Sequence, residues 1–286
     1  MKSLNHPIPY PEVNAILHEL LTSVQSILGD HFIGMYLFGS LATEDFDQDS
    51  DVDYVVVTDD ALSNELVSAL QDMHMSIATI DSWCATQLEG SYVPQGALRR
   101  YDPVRALHLH IDRGKGERLN KMQLDNSPLS RAWWGGWVLL RDSLREKGIT
   151  LAGPAPRTLI DTVSPEELRQ AALAILHGWA AQILDTPAEI DSRGYQPYTV
   201  LTLCRILYTL QNGSVASKPV AARWAQETLD QQWVPLIERA WVGRSNPDLK
   251  AQADEVHETL DIIRFTLERS QQFETPAEDI LKEYSN

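Results

Sequence analysis

The sequence predicts an α+β protein in which a mixed α/β domain is followed by an all-helical domain. In the first third of the chain, short β-branched runs alternate with segments of helical periodicity. Beyond residue 160 almost every segment has apolar residues at helical spacing, and the stretch just before it is dense in Pro and Gly. We therefore expect one domain over residues 1–160 and a helical domain over residues 161–286.

The composition of the chain indicates which binding partners and which cellular compartment to expect. The 286 residues carry a formal net charge of −16, from 40 acidic and 24 basic residues. Such a surface disfavours nucleic acid, whose binding depends on neutralising phosphates, and it disfavours anionic membranes. No apolar run approaches the roughly 20 residues that span a bilayer, and the N-terminus has no apolar signal region. With only Cys84 and Cys204, far apart, we expect a cytoplasmic protein without disulfides, and a monomer is the working expectation.

The first domain contains the elements of a small sheet with helices. Helical periodicity is present at residues 12–29 and again at 60–76. Strands are predicted from the apolar, β-branched or alternating composition of four segments: 31–38, 51–58, 86–94 and 104–112.

The second domain contains several helical segments. A helix is also predicted just before it, at 127–149, although Gly135 and Gly136 weaken its first turn. Ser164 is a good N-cap, because Pro and two Glu residues follow it. The remaining helical segments are 164–184, 196–213, 217–229, 232–243 and 248–273.

Two aspartates open the second predicted strand. Asp51 and Asp53 are two residues apart, so the period of a strand places both carboxylates on one face, where they can share a divalent cation. Gly39 and Ser40 end the preceding strand, and such a pair lets a backbone approach a phosphate. An Asp-x-Asp pattern alone is common in solvated turns, so these residues need a further partner.

Glu89 is the candidate partner. It lies within the apolar third strand, where an acid is costly unless it is paired, metal-bound or exposed in a cleft. Its alternative role is a solvent-facing side chain on an edge strand. His108 and His110 alternate on the fourth strand like a metal pair. With no third ligand at a suitable spacing, a structural or substrate-lining role is favoured over zinc.

The order of these features resembles the polymerase-β-like nucleotidyltransferase superfamily, whose signature is Gly-Ser, then Asp-x-Asp, then a later acid. Within it, residues 198–224 are similar to the helical-domain segment of the streptomycin/spectinomycin adenylyltransferases. The "SDVD" at Ser50–Asp53 and the "LEG" at Leu88–Gly90 also match that family's context. The resemblance implies an N-terminal nucleotidyltransferase domain and a helical C-terminal domain that contributes to nucleotide and substrate binding.

The resemblance also implies residue roles. Asp51 and Asp53 would hold Mg²⁺ against the phosphates of ATP, with Glu89 near the same ion. Glu89 would be the general base that takes a proton from a substrate hydroxyl. Gly39 and Ser40 would border the phosphates. Arg205 and Lys218 would reach them from the helical domain, and Trp241 or Arg244 would border the nucleotide.

The implied substrate is a cationic, hydroxylated antibiotic of the spectinomycin or streptomycin type, which receives AMP while pyrophosphate is released. In the streptomycin-binding members a Trp and an Asp contact the antibiotic. Here Thr186 falls near the place of the Trp, and Asp191 is the candidate for the Asp, so streptomycin itself is not specified. Two alternatives stay open: AMP transfer to a protein or another small molecule, and a catalytically silent nucleotide-binding relic.

Overall fold

The chain divides into two compact units. The computed structural model describes residues 8–47, 50–100, 108–114, 118–122, 128–186, 194–243 and 252–274, with the backbone alone at 128–134. The first unit combines the residues up to Asp125 with Leu140–Val163. The second combines Asn126–Leu139 with the residues from Ser164 onward.

A single mixed sheet organises the first unit. Its six strands run in the spatial order β5-β4-β3-β2-β1-β6, and β2 with β3 is the parallel pair while the other neighbours are antiparallel. Four of them fall within the predicted segments, and β5 and β6 were not predicted. The strands are β1 Phe32–Leu37, β2 Val52–Thr58, β3 Leu88–Pro94, β4 His108–Ile111, β5 Asn120–Met122 and β6 Ile149–Ala152.

Helices connect these strands. Among them α2 begins at Gly39, so Gly39 and Ser40 open a short helix after β1 and do not belong to the strand itself. The division between the units falls inside α5, between Leu139 and Leu140. The helices are α1 Pro11–Leu28, α2 Gly39–Ala42, α3 Asn64–Ile77, α4 Gln95–Arg99, α5 Pro128–Lys147 and α6 Pro156–Leu159.

One face of the sheet packs on α1 and α3. Tyr54, Val56 and Tyr92 from the central strands share a buried cluster with Leu17 and Leu70 from the two helices. Because successive strand residues point to opposite faces, the neighbours Asp53 and Glu89 belong to the face away from these helices. The packing of the core therefore decides which face carries the acids.

The second unit is helical, as predicted, and centres on one helix, α9. Helices α7, α10, α11 and α12 all pack against α9. Ser164 caps α7 in a capping box with Glu167, as the sequence suggested. No helix in the described ranges is both long and apolar enough to cross a membrane. The helices are α7 Pro165–Ile175, a π-helical segment Leu176–Ala180, α8 Ala181–Asp185, α9 Tyr195–Asn212, α10 Lys218–Thr228, α11 Val234–Val242 and α12 Ala253–Ser270.

The two adjacent glycines in α5 have different surroundings. A Cβ at Gly135 would collide with the carbonyl oxygen of Ala171 and lie 2.7 Å from Cγ1 of Ile175, both on α7. A Cβ at Gly136 would meet nothing within 4 Å. Gly135 therefore permits a close backbone approach within the second unit, whereas Gly136 has no packing role.

We expect Gly135→Ala and Gly136→Ala to change stability in opposite directions. Gly136→Ala should raise the free energy of unfolding by about 0.5–1 kcal/mol, because Ala loses less backbone entropy in a helix. Gly135→Ala should lower it by about 1–3 kcal/mol, because α7 must move to admit the methyl group. Urea denaturation of both variants measures the difference. Equal effects at the two positions would contradict the close approach of α5 to α7.

Candidate active site

Two of the predicted acids lie side by side at the centre of the sheet. In the parallel pairing of β2 with β3, Asp53 is directly opposite Glu89. Residues that pair in this way project from the same face of a sheet. The two carboxylates are therefore placed together by the register of the strands.

The backbone at Gly39 packs against the carboxylate of Asp53. Gly39 has a φ of +63°, and a Cβ built there would overlap Oδ2 of Asp53 and lie 2.8 Å from its Cγ. The backbone N–H of Phe38 donates to the carbonyl oxygen of Asp53 at 3.2 Å, which fixes the end of β1 beside the start of β2. Glycine is required here for its left-handed conformation and for the space it leaves. Ser40 follows at the start of α2 and is half-buried.

Asp51 lies just before β2 and forms an ion pair with an arginine side chain. Its Oδ1 accepts a hydrogen bond from Nη1 of Arg113 at 2.8 Å, and 29% of its side-chain surface is exposed. Arg113 follows β4 in the chain and was not singled out from the sequence. No local pattern marks it, because the contact depends on how the ends of β2 and β4 are brought together.

Asp51 and Asp53 are compatible with a divalent cation that takes its remaining ligands from other molecules. In the described part of the chain, no three His, Cys, Asp or Glu side chains form a set that could hold a metal ion by themselves. Mg²⁺ is commonly held by one or two carboxylates, with water and substrate phosphates as its other ligands. The Asp53 carboxylate fills the space that the absent side chain of Gly39 leaves, and Asp51 accommodates a positive charge. This pair of carboxylates could hold a divalent cation whose other ligands are water or phosphate.

A buried polar network lies beneath the acids, on the opposite face of the sheet. Nε2 of His74 is 3.2 Å from the hydroxyl of Tyr54 and 2.8 Å from that of Tyr92. Burial lowers the pKa of His74 to about 4, so the ring is neutral at pH 7, and burial raises the pKa of both tyrosines. Because Tyr54 directly follows Asp53, this network ties β2 and β3 to α3 just below the two carboxylates.

His110 has a structural partner on the same face as Glu89. Its Nδ1 is 3.0 Å from Oγ of Ser91, which it pairs with across β3 and β4, and its Nε2 is 3.4 Å from Asp112. Burial lowers the pKa of His110, against the opposing effect of the Asp112 carboxylate. These contacts agree with the structural or substrate-lining role that was favoured over zinc.

In the second unit, the two predicted phosphate-binding cations are linked through one loop. Nε of Arg205, on α9, donates to the carbonyl oxygen of Ala216 at 3.1 Å. Lys218 begins α10 two residues later, and both side chains are half-buried. Arg205 thus helps to hold the N-terminus of α10. Asp191 and Arg244, also predicted to bind substrate or nucleotide, lie outside the described residues.

The two halves of the chain match two known domain families. Residues 17–122 match the nucleotidyltransferase domain, and residues 158–265 match the aminoglycoside adenylyltransferase C-terminal domain. The first match contains Gly39, Asp51, Asp53 and Glu89. The second contains Arg205 and Lys218.

Individual proteins similar to this chain are named as adenylyltransferases too. The chain is 33% identical over 130 residues to the aminoglycoside (3'') (9) adenylyltransferase of Escherichia coli, a match that covers 44% of this chain and 47% of that protein. That aligned segment spans about half of the Escherichia coli protein. The chain is 25% identical over 231 residues to the spectinomycin 9-adenylyltransferase of Campylobacter jejuni, covering 78% of this chain and 82% of the relative.

A solved structure has the same fold. The crystal structure of spectinomycin adenyltransferase AAD(9) from Enterococcus faecialis, with ATP and spectinomycin, superposes with a TM-score of 0.67 at 16% identity. It matches 90% of this chain and 98% of the other. This superposition confirms the α+β fold, and the two domain matches bear out the family resemblance read from the sequence. The chain thus combines a match to the nucleotidyltransferase domain with a match to the C-terminal domain of the aminoglycoside adenylyltransferases, the family that it resembles in both units.

Proposed function

We propose that this protein transfers AMP from ATP to a hydroxyl of an aminoglycoside or aminocyclitol antibiotic, of the spectinomycin or streptomycin type, and releases pyrophosphate. The observation that carries the proposal is the pairing of Asp53 with Glu89 across β2 and β3, with the backbone of Gly39 against the Asp53 carboxylate. In a member of this family, that arrangement places the proposed metal ligand beside the proposed base.

Asp51 and Asp53 are the proposed ligands of Mg²⁺, and Glu89, which pairs with Asp53 across β2 and β3, is proposed to lie beside the ion. Bound Mg²⁺ supplies charge neutralisation for the phosphates of ATP. The role of the chain is to keep the two aspartates on one face of the sheet at the end of β1. Gly39 and Ser40 leave the backbone accessible to a phosphate group there.

Glu89 is the proposed general base. A carboxylate that accepts the proton of the attacking hydroxyl raises the nucleophilicity of that oxygen as the bond to phosphorus forms. Its position on a central strand fixes the carboxylate relative to Asp53, so little reorganisation is needed when the substrate binds. Positioning is most of what a protein contributes to phosphoryl transfer.

The cations of the second unit are proposed to bind the triphosphate. Arg205, Lys218 and Arg244 would neutralise its charge, and guanidinium groups do this with paired hydrogen bonds. Arg205 keeps a hydrogen bond to the backbone of Ala216, so we propose that it acts partly by holding Lys218 in place.

A cationic acceptor suits the charge of the protein. With a net charge of −16, the protein attracts polyamine antibiotics and raises their concentration near its surface. Asp191 is the proposed contact to the acceptor in the helical domain. Relatives named for the 3'' and 9 positions of aminoglycosides and for spectinomycin support this class of acceptor.

We expect pyrophosphate release when the protein is incubated with ATP, Mg²⁺ and spectinomycin or streptomycin. A coupled pyrophosphate assay across a panel of aminoglycosides and aminocyclitols measures it, and mass spectrometry identifies the AMP ester. EDTA should abolish the reaction. Binding of ATP without turnover of any panel member would contradict the antibiotic substrate and favour another hydroxyl acceptor.

Glu89→Gln should lower kcat by about 100-fold or more, because a positioned base contributes roughly 10²–10⁴-fold to such reactions. The KM for ATP should change little, since the amide keeps the shape of the side chain. The matched control is Glu12→Gln, on the exposed face of α1, which should retain full activity. Full turnover by Glu89→Gln would show that another group accepts the proton.

Gly39→Ala should reduce activity by about 100-fold, because a displacement of the Asp53 carboxylate by about 1 Å misaligns the reacting groups. Gly29→Ala is a matched control. Gly29 also has a positive φ, of +53°, but a Cβ there meets nothing within 4 Å. Both variants should lose stability because of the positive φ, Gly39→Ala the more because of its contact with Asp53, and only Gly39→Ala should lose activity. Equal activity in the two variants would mean that the contact with Asp53 is unimportant.

A further inference from the structure

Arg113 forms an ion pair with Asp51, one of the two proposed metal ligands. Nη1 of Arg113 donates to Oδ1 of Asp51 at 2.8 Å. The two residues are 62 positions apart in the chain, so the pair is a tertiary contact. Side-chain exposure is 55% for the arginine and 29% for the aspartate, so solvent and ligands can reach both.

Backbone hydrogen bonds hold Arg113 at this position. The N–H of Gly114 donates to the carbonyl oxygen of Thr86 at 2.8 Å, and the N–H of Val52 donates to that of Gln87 at 2.8 Å. The ends of β2, β3 and β4 are thereby joined on both sides of the ion pair. Arg113 is therefore fixed next to Asp51 by the same three strands that place Asp53 and Glu89.

The Arg113 guanidinium can affect both metal binding and phosphate binding at this site. The guanidinium remains charged at any physiological pH and donates only, so its positive charge beside Oδ1 disfavours a second cation at the Asp51 carboxylate. A partly exposed ion pair of this kind is weak, commonly about 1 kcal/mol or less, so a ligand can displace it. Guanidinium also pairs strongly with phosphate.

We propose that Arg113 occupies Asp51 in the absence of nucleotide, competes there with free divalent cations, and transfers to the phosphates when metal and nucleotide bind together. This proposal rests on the function proposed above, in which Asp51 is a metal ligand. It makes binding of metal and nucleotide cooperative. Once the metal binds the Asp51 carboxylate, a phosphate of the nucleotide becomes the new partner of the Arg113 guanidinium.

The alternative is that Arg113 affects ligands only through its positive charge. In that case, removing it would strengthen metal binding equally with and without nucleotide, and the coupling between the two ligands would not change. If Arg113 instead moves from Asp51 to a phosphate, Arg113→Gln should show a weaker coupling between metal and nucleotide. This follows because the coupling is a reciprocal free energy between the two binding sites. The coupling therefore separates the two explanations.

The test compares wild-type protein with Arg113→Gln, using Mn²⁺ as the metal and α,β-methylene ATP as a non-reacting nucleotide. Electron paramagnetic resonance of free Mn²⁺ gives the affinity for metal alone. Calorimetry gives the affinity for the nucleotide in EDTA and in saturating Mn²⁺, and the ratio of those two affinities is the coupling. Neither measurement depends on turnover.

We expect Arg113→Gln to bind Mn²⁺ alone about two- to five-fold more tightly, the equivalent of losing one exposed ion pair. The coupling ratio should fall by a similar factor. Arg264→Gln is the matched control, since Arg264 has the same 55% exposure and the same 2.8 Å contact, with Asp261 in the other unit. It should match the wild type in both measurements.

Two results would overturn the proposal: an unchanged affinity of Arg113→Gln for Mn²⁺, or a raised affinity with an unchanged coupling ratio. Asp51→Asn separates this failure from failure of the proposed function. If Asp51→Asn weakens Mn²⁺ binding while Arg113→Gln has no effect, only the role of Arg113 is wrong. If Asp51→Asn binds Mn²⁺ as the wild type does, the assignment of Asp51 as a metal ligand is wrong as well.

Discussion

The parallel pairing of β2 with β3 is the constraint on which the candidate site depends. It sets Asp53 opposite Glu89, and the packing of Tyr54 and Tyr92 against α1 and α3 decides that the acids project from the other face. A slip of either strand by one residue would reverse the faces of that strand and bury its acid among apolar side chains. The buried contacts of His74 with both tyrosines oppose such a shift, so core stability and site geometry share one cause.

The close approach at Gly39 and the ion pair at Arg113 define the surroundings of the two aspartates. Gly39 brings backbone to within contact of Asp53, while Arg113 balances the charge of Asp51. Together they fit the proposed cation site, in which the described residues do not enclose a metal ion with three protein ligands. Such a site leaves the substrate to complete the coordination, which is the usual behaviour of Mg²⁺ in nucleotide chemistry.

Much of the fold could be predicted because local patterns agree with it. Val52–Thr58 is rich in β-branched residues, with Asp51 just before it and Asp53 near its start, and Ser164 is the N-cap of α7 that its sequence suggests. The short strands β5 and β6 have only three and four residues, too few for a periodic signal. Arg113 was missed for a different reason, since its partner is set by the convergence of strand ends. Gly135 in α5 likewise has its explanation on another helix, at Ala171.

The proposed function requires Asp51 and Asp53 to bind the metal that accompanies ATP. The most direct measurement is the anomalous scattering of Mn²⁺ in crystals grown with α,β-methylene ATP. The account predicts a single strong peak within bonding distance of carboxylate oxygens of both aspartates and of a nucleotide phosphate, with Glu89 beside it. A peak bound to the phosphates alone, with Asp51 still paired to Arg113, would contradict it.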